Sequence, residues 1–206
     1  PPGAGSGLLL VGGAAHAPNR DAVREAVTTL LARLQAQGVD DPLTVVGEWP
    51  AATRTGLDHG VRFTGRVSDA ELRALHHDHR LLLAPLRFGA GAKRKVVAAM
   101  GLGLPVVTTS VGARGALVRD ATAADGVSVA DDPDAITRAV VALTDPAVAR
   151  SCADMAHAAV TAAYGTGPYD RVVAAVLAAA VGDDGSGNRG GPARSATRAA
   201  QPGRHQ

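Results

Sequence analysis

Four short stretches of this chain are apolar almost throughout rather than at every second residue: Leu8–Val11, Leu43–Val46, 81–86 and 105–108. A strand with one face in a core and one in water alternates apolar with polar residues, so these runs predict strands covered on both faces. Helical periodicity fills the gaps between them. Val23, Val27, Leu30, Leu31 and Leu34 share one helix face, opened by Pro18-Asn19 and stopped by Gly38. Ser68-Asp69-Ala70-Glu71 matches a capping box with a helix running to about His77. Further helices are predicted over 93–102, 134–143, 146–163 and 169–180, with a short weak one over 51–58. Val61–Gly65 and a weaker Val127–Val129 complete the strands. Strand and helix alternate, which predicts an α/β fold built on a Rossmann-like, doubly wound parallel sheet. Residues 1–181 form that domain. From Gly182 the chain is Gly, Arg, Ser, Pro and Gln without apolar periodicity, so residues 182–206 are expected to be a disordered tail.

Composition narrows the function classes. Apolar residues make up 46% of the chain and aromatics only 2%, which suits a helix-and-sheet core of small side chains. A formal net charge of +2 is too small for an electrostatic nucleic-acid binder. The single cysteine, Cys152, excludes an internal disulfide and a multi-cysteine metal site; in its Ala-rich helix it is expected to be buried and inert. No apolar run reaches the roughly 18 residues that a membrane helix needs. The first residues lack a basic stretch ahead of an apolar one, so the expected compartment is the cytoplasm. A chain that begins with Pro1 reads as a segment of something longer.

Ligands of an open parallel sheet sit beyond the carboxyl ends of its strands. The loops there are 12–19, 47–50, 65–68, 87–93 and 109–115. The fourth says most. Gly89-Ala90-Gly91 lies between a strand and a helix, where small residues admit a ligand close to the backbone. Amides at the start of that helix carry partial positive charge and suit a phosphate. Arg87, Lys93, Arg94 and Lys95 add cationic charge. A plain strand-to-helix turn with solvated basic residues explains the same pattern. His16 lies in the first of these loops and is within reach of a phosphate, and Thr109 opens the last. There is no Gly-Lys-Ser/Thr phosphate loop, and Gly12-Gly13 is not a dinucleotide fingerprint. His76-His77-Asp78-His79 has a metal-like look, but at a helix end away from these loops it reads as solvated. Asp131-Asp132-Pro133-Asp134 reads as a helix cap. Trp49 packs on a sugar or covers the sheet edge.

From Ala84 to Lys93 the chain reads Ala-Pro-Leu-Arg-Phe-Gly-Ala-Gly-Ala-Lys. Lys95-Val96-Val97, Ala99-Met100, Gly103-Leu104-Pro105-Val106-Val107-Thr108-Thr109-Ser110 and Val111-Gly112-Ala113 follow in order. This run resembles the donor-site core of family 4 glycosyltransferases, in the branch with Pro-Leu-Arg-x-Gly-x-Gly-x-Lys. Weaker echoes, such as Val11-Gly12-Gly13 and Phe63-Thr64-Gly65, extend the resemblance over roughly residues 8 to 175. It implies one half of a GT-B fold, in which two Rossmann-like domains face each other across a cleft. The C-terminal half binds a UDP- or GDP-sugar; a separate N-terminal half, absent here, binds the acceptor. Transfer in the family retains anomeric configuration and uses neither metal nor cofactor.

By that resemblance, backbone at Gly65, Arg66 and Val67 faces the nucleobase, Gly89, Ala90, Gly91 and Lys93 face the diphosphate and sugar, and Gly12 and Gly13 line the cleft. The catalytic residue itself is not identified. Three positions depart from the family. Ala98 stands where a glutamate holds the ribose hydroxyls, Ala90 stands at the first acid of the family's pair, and Arg114 replaces a glutamate of the last loop. Glu48, in the loop after the second strand, is a candidate substitute carboxylate, with a solvated loop residue as the plain alternative. A glycosyltransferase-like domain that binds without turnover is the alternative. A response-regulator or NAD domain would need an acidic pocket or a glycine fingerprint that this chain lacks.

Overall fold

A computed structural model describes residues 5–165 and 167, apart from 92 and 118. Six strands are present among the described residues: β1 (Leu8–Val11), β2 (Leu43–Val46), β3 (Val61–Gly65), β4 (Leu81–Ala84), β5 (Val106–Thr108) and β6 (Val127–Val129). They form one sheet in the order β3-β2-β1-β4-β5-β6, every pair parallel. The chain leaves β1 for β2 and β3 on one side, then returns to β4 on the other. The strand order therefore reverses between β1 and β4, which opens a crevice at their carboxyl ends.

The apolar runs are explained by two cores. Leu8 and Leu10 of β1 point into one, with Val23, Leu30, Leu43, Leu81, Ile136 and Val140. Leu9 points into the other, with Leu82, Val96, Met100, Val106 and Ala156. Period-two alternation thus sends successive residues to opposite layers, and both layers are dry. Each fully buried leucine contributes about 1.5–3 kcal/mol relative to an exposed one.

Eight helices cover these faces among the described residues: α1 (Ala17–Glu25), α2 (Leu31–Ala36), α3 (Ala51–Arg54), α4 (Asp69–Asp78), α5 (Arg94–Gly101), α6 (Ser110–Ala113), α7 (Pro133–Ala142) and α8 (Pro146–Tyr164). A π segment, Ala26–Leu30, joins α1 to α2 where Val27, Thr28 and Thr29 crowd the turn, and Thr28 Oγ1 donates to the Arg24 carbonyl at 2.9 Å. The capping box of α4 is complete: Glu71 N donates to Ser68 Oγ at 3.3 Å, and Ser68 N donates to a Glu71 carboxylate oxygen at 2.7 Å. Asp132 and Asp145 cap α7 and α8. Helix α6 has no strong sequence signal. It exists because Thr109 Oγ1 accepts from Gly112 N at 3.2 Å, and because Gly112 carries no Cβ to strike Thr108 Oγ1, which would lie 1.9 Å away. The helix expected over 169–180 and the tail over 182–206 lie outside the described residues.

The histidine run is not the solvated helix end that its sequence suggests. His76 and His79 are 2% and 7% exposed. Their Nδ1 atoms donate to the carbonyls of Leu72 and Leu75, each at 2.7 Å. A carbonyl only accepts, so Nδ1 carries the proton of His76 and its Nε2 is a lone-pair acceptor without a partner among the described residues. Burial, more than the neighbouring His79, holds the His76 pKa below the ordinary histidine value. A depressed histidine leaves the native state binding fewer protons than the unfolded one, so stability is full above about pH 6.5 and falls below it. His76→Leu is therefore expected to lessen the loss of melting temperature between about pH 7.5 and about pH 5.5, read by circular dichroism. An unchanged loss would show that other groups carry the acid sensitivity.

Cys152 is half-buried, and burial pushes its thiol pKa up. Trp49 belongs to the fold: it is 3% exposed, packs on Phe63 with ring centroids 5.5 Å apart, and Nε1 donates to the Gly12 carbonyl at 2.8 Å.

Candidate functional site

The ends of β1, β2 and β3 meet through glycines. Gly12 N donates to the Val46 carbonyl at 2.7 Å, and Gly47 N to the Gly65 carbonyl at 2.9 Å. A Cβ on Gly47 would lie 2.7 Å from both the Gly12 carbonyl carbon and the Gly13 nitrogen. The loops are thus packed backbone to backbone. Sequence places Gly47 at the start of a ligand-edge loop but does not reveal its packing on Gly12 and Gly13, more than thirty residues away.

Two hollows open at this edge. One, of about 400 Å³, lies between the start of α1 and the loop into α5, and is lined by His16, Asn19, Gly89, Lys93, Arg94 and Lys95 among others. The other, of about 470 Å³, is lined by Gly13, Gly47, Glu48 and Arg66 among others. A larger hollow of about 630 Å³ lies between α2 and α7 and is lined by none of the residues that sequence assigns to a ligand. Of the residues singled out by sequence, His16, Gly89, Ala90 and Lys93 share the first hollow. Gly13 and Arg66 share the second, with Gly65 beside them through its bond to Gly47. Val67 is half-buried against the core beneath.

Three predicted residues are engaged differently from expectation. Lys93, read as a mobile charge, is 8% exposed and folds back on its own loop, where Nζ donates to the carbonyls of Gly91 at 2.7 Å and Gly89 at 3.2 Å. Arg87 stays exposed but turns to α1: Nε donates to Asp21 at 2.8 Å and Nη1 to Glu25 at 3.2 Å. Its hydrogen bond holds the Asp21 carboxyl below the usual carboxylate range. Thr109 is buried; its hydroxyl donates to the Leu86 carbonyl and caps α6.

The loop itself is shaped by glycine. Gly89 has φ +129° with its missing Cβ 3.2 Å from Pro18 Cγ, and Gly91 has φ +76°, so both hold backbone that other residues resist. The first amides of α5, at Arg94 and Lys95, have no intrahelical carbonyl to bond. Lys95 adds a second ammonium: Nζ donates to Asn19 Oδ1 at 2.6 Å, and burial followed by the charge of Lys93 lowers its pKa to about 8. Free helix amides beside two partly desolvated lysines make a seat for an anion. Ala98, one turn further along α5, is exposed and offers no acceptor. No group of three or more histidines, cysteines or acids among the described residues is placed to hold a metal, and no helix among them is long and apolar enough to cross a membrane.

Comparison with solved structures finds this fold among glycosyltransferases. WaaG, a glycosyltransferase involved in lipopolysaccharide biosynthesis, is 26% identical, with 75% of this chain and 42% of WaaG covered and a TM-score of 0.54. HepE of Anabaena, solved in complex with UDP and glucose, is 17% identical over 86% of this chain and 49% of its own, with a TM-score of 0.58. The C-terminal domain of a glycosyl transferase group 1 family protein (LpcC) from Francisella tularensis is 17% identical over 78% of this chain and 87% of that domain, with a TM-score of 0.56. The chain spans about half the length of the whole enzymes it matches. No curated protein sequence matches it. The family described as Glycosyl transferases group 1 matches residues 6–145, the stretch that contains the six described strands and both hollows at their carboxyl ends, and the chain belongs to that family, with the Rossmann-like fold of one half of a GT-B protein.

Proposed function

We propose that this chain is the donor-binding half of a retaining, metal-independent family 4 glycosyltransferase, and that its substrate is a UDP- or GDP-sugar. The observation that carries the reading is the hollow where the strand order reverses, with Lys93, Lys95 and the first amides of α5 gathered around it. HepE, of the same fold, is solved with UDP and glucose. Likeness to the C-terminal domain of LpcC supports the half-protein role. In the reaction the bond from the anomeric carbon to the diphosphate oxygen breaks, a bond to the acceptor oxygen forms, and the proton of that oxygen passes to the leaving diphosphate or to solvent. Negative charge then develops on the departing nucleoside diphosphate. Ammonium groups and helix amides fixed there in advance stabilise that charge as it appears. A second domain would hold the acceptor and supply the remaining groups.

A second reading, binding without turnover, is favoured by Ala98. A carboxylate at that position would accept ribose hydroxyls, each charged hydrogen bond contributing about 1.5–3 kcal/mol. Alanine contributes none. Calorimetric titration with UDP and GDP tests the donor-binding reading, by whether nucleotide binds at all. Saturable binding with a preference for one base is the expected result and names the donor class. Absence of binding at millimolar nucleotide would overturn the donor reading for this half.

A further inference from the structure

Asn19 spans the crevice between β1 and α5. It is the third residue of α1 and 7% exposed. Its Nδ2 donates to the Gly13 carbonyl at 3.0 Å, and its Oδ1 accepts from Lys95 Nζ at 2.6 Å. Gly12 is shaped around this carboxamide: a Cβ there would lie 2.4 Å from Nδ2 and 2.6 Å from Oδ1. One side chain therefore ties the end of β1 to the first turn of α5, with the hollow beside it.

What matters for a ligand is that the tie is neutral. An amide oxygen orients an ammonium by a lone pair and leaves its charge intact, whereas a carboxylate would cancel it. Lys93 rests in the same way on the carbonyls of Gly89 and Gly91. Neither lysine joins an ion pair among the described residues. The nearby acids of α1, Asp21 and Glu25, are bound to Arg87. His16, from the loop before α1, and Arg94, from α5, line the same hollow and bring no negative charge. Two ammonium groups thus face one hollow, held by neutral oxygens and short of counter-charge. The depressed pKa of Lys95, about 8, agrees with that shortage.

On the donor-binding reading above, we propose that Asn19 is a positioning residue. It fixes the Lys95 ammonium, uncancelled, at the floor of the hollow so that Lys95 and Lys93 together receive the diphosphate of the donor. The β1–α1 loop itself holds no lysine or arginine before Arg20, so the second cation has to come across from α5.

The test titrates UDP, GDP and inorganic pyrophosphate into the protein, Asn19→Asp and Lys95→Met by calorimetry, between about pH 7 and about pH 9, above the ordinary histidine range. The anion binds the protonated lysine, so affinity of the unmodified protein is full below about pH 8 and falls above it. Asn19→Asp pairs Lys95 with a carboxylate; binding at about pH 7 is expected to fall about tenfold and to lose its pH dependence over that window. Lys95→Met, which keeps the buried stem, is expected to do the same and stands if the aspartate variant unfolds. A purely structural tie would lower melting temperature and leave the pH profile of binding unchanged; that profile in both variants overturns the proposal. Pyrophosphate binding that responds to the variants with no gain from a nucleoside overturns the nucleotide-sugar reading and leaves the anion seat standing. Nucleotide binding indifferent to both variants does the reverse, and no binding of any of the three overturns both.

Discussion

Lys93→Ala is expected to weaken nucleoside diphosphate binding by at least about tenfold and up to about a hundredfold, since a charge-assisted hydrogen bond to phosphate contributes about 1.5–3 kcal/mol. Two losses combine in this variant. The ammonium that would face the diphosphate is gone, and so is the bond that gathers the Gly89 and Gly91 carbonyls into the turn. Both carbonyls lie in backbone of positive φ, which has little intrinsic reason to hold its shape. The loss should therefore exceed that from removing one surface charge, which is typically below about 1 kcal/mol. Calorimetry with UDP and GDP reads it, with thermal unfolding as the control on folding. Affinity within about twofold of the unmodified protein would place the diphosphate elsewhere.

Gly126→Ala is expected to cost about 3–5 kcal/mol of stability, against about 1 kcal/mol for Gly38→Ala. Both glycines are left-handed, at φ +72° and +78°. They differ in what surrounds them. A Cβ on Gly38 meets nothing within 4 Å, so alanine there is opposed only by backbone strain. A Cβ on Gly126 would lie 2.1 Å from the Cys152 carbonyl oxygen and 2.8 Å from Ala156 N, both in the backbone of α8. That helix would have to move away from the turn and from α5, dislodging its own Ala156, which is fully buried. Nor can the turn slide away. Arg119 donates to both Asp125 oxygens at 2.6 and 2.7 Å, and Thr122 adds two bonds at 2.9 Å. Chiefly through Arg119, these bonds bring the Asp125 pKa down to about 2. Denaturant unfolding of the two variants measures the contrast; equal costs would show that α8 does not press on Gly126.

Much of this protein could be read before any coordinates. The strand positions follow from solvation: a run such as Leu8-Leu9-Leu10-Val11 is tolerable only where both faces are dry, and in a chain with helices between strands that means a parallel sheet. Caps follow from local chemistry, since Ser68 and Glu71, or Asp132 and Ala135, are near neighbours in sequence and need no tertiary information to find each other. The edge that carries the candidate site was legible for the same reason, because the carboxyl ends of parallel strands are set by chain direction alone.

What resisted reading was the choice of side-chain partners distant in sequence. Arg87 and Lys93 are equally basic in sequence, yet one pairs with Asp21 sixty-six residues away and the other turns onto its own loop. Lys95 meets Asn19 across seventy-six residues. His76 looks solvated by composition and is buried by packing. Such contacts are decided by where the sheet brings distant loops together, and the energy separating a paired from a solvated cation is no larger than a few kcal/mol, about the size of one packing change. Local periodicity therefore determined the architecture and the edge where the strands end, while only the tertiary structure decided which charges at that edge meet a counter-charge and which rest on neutral oxygens.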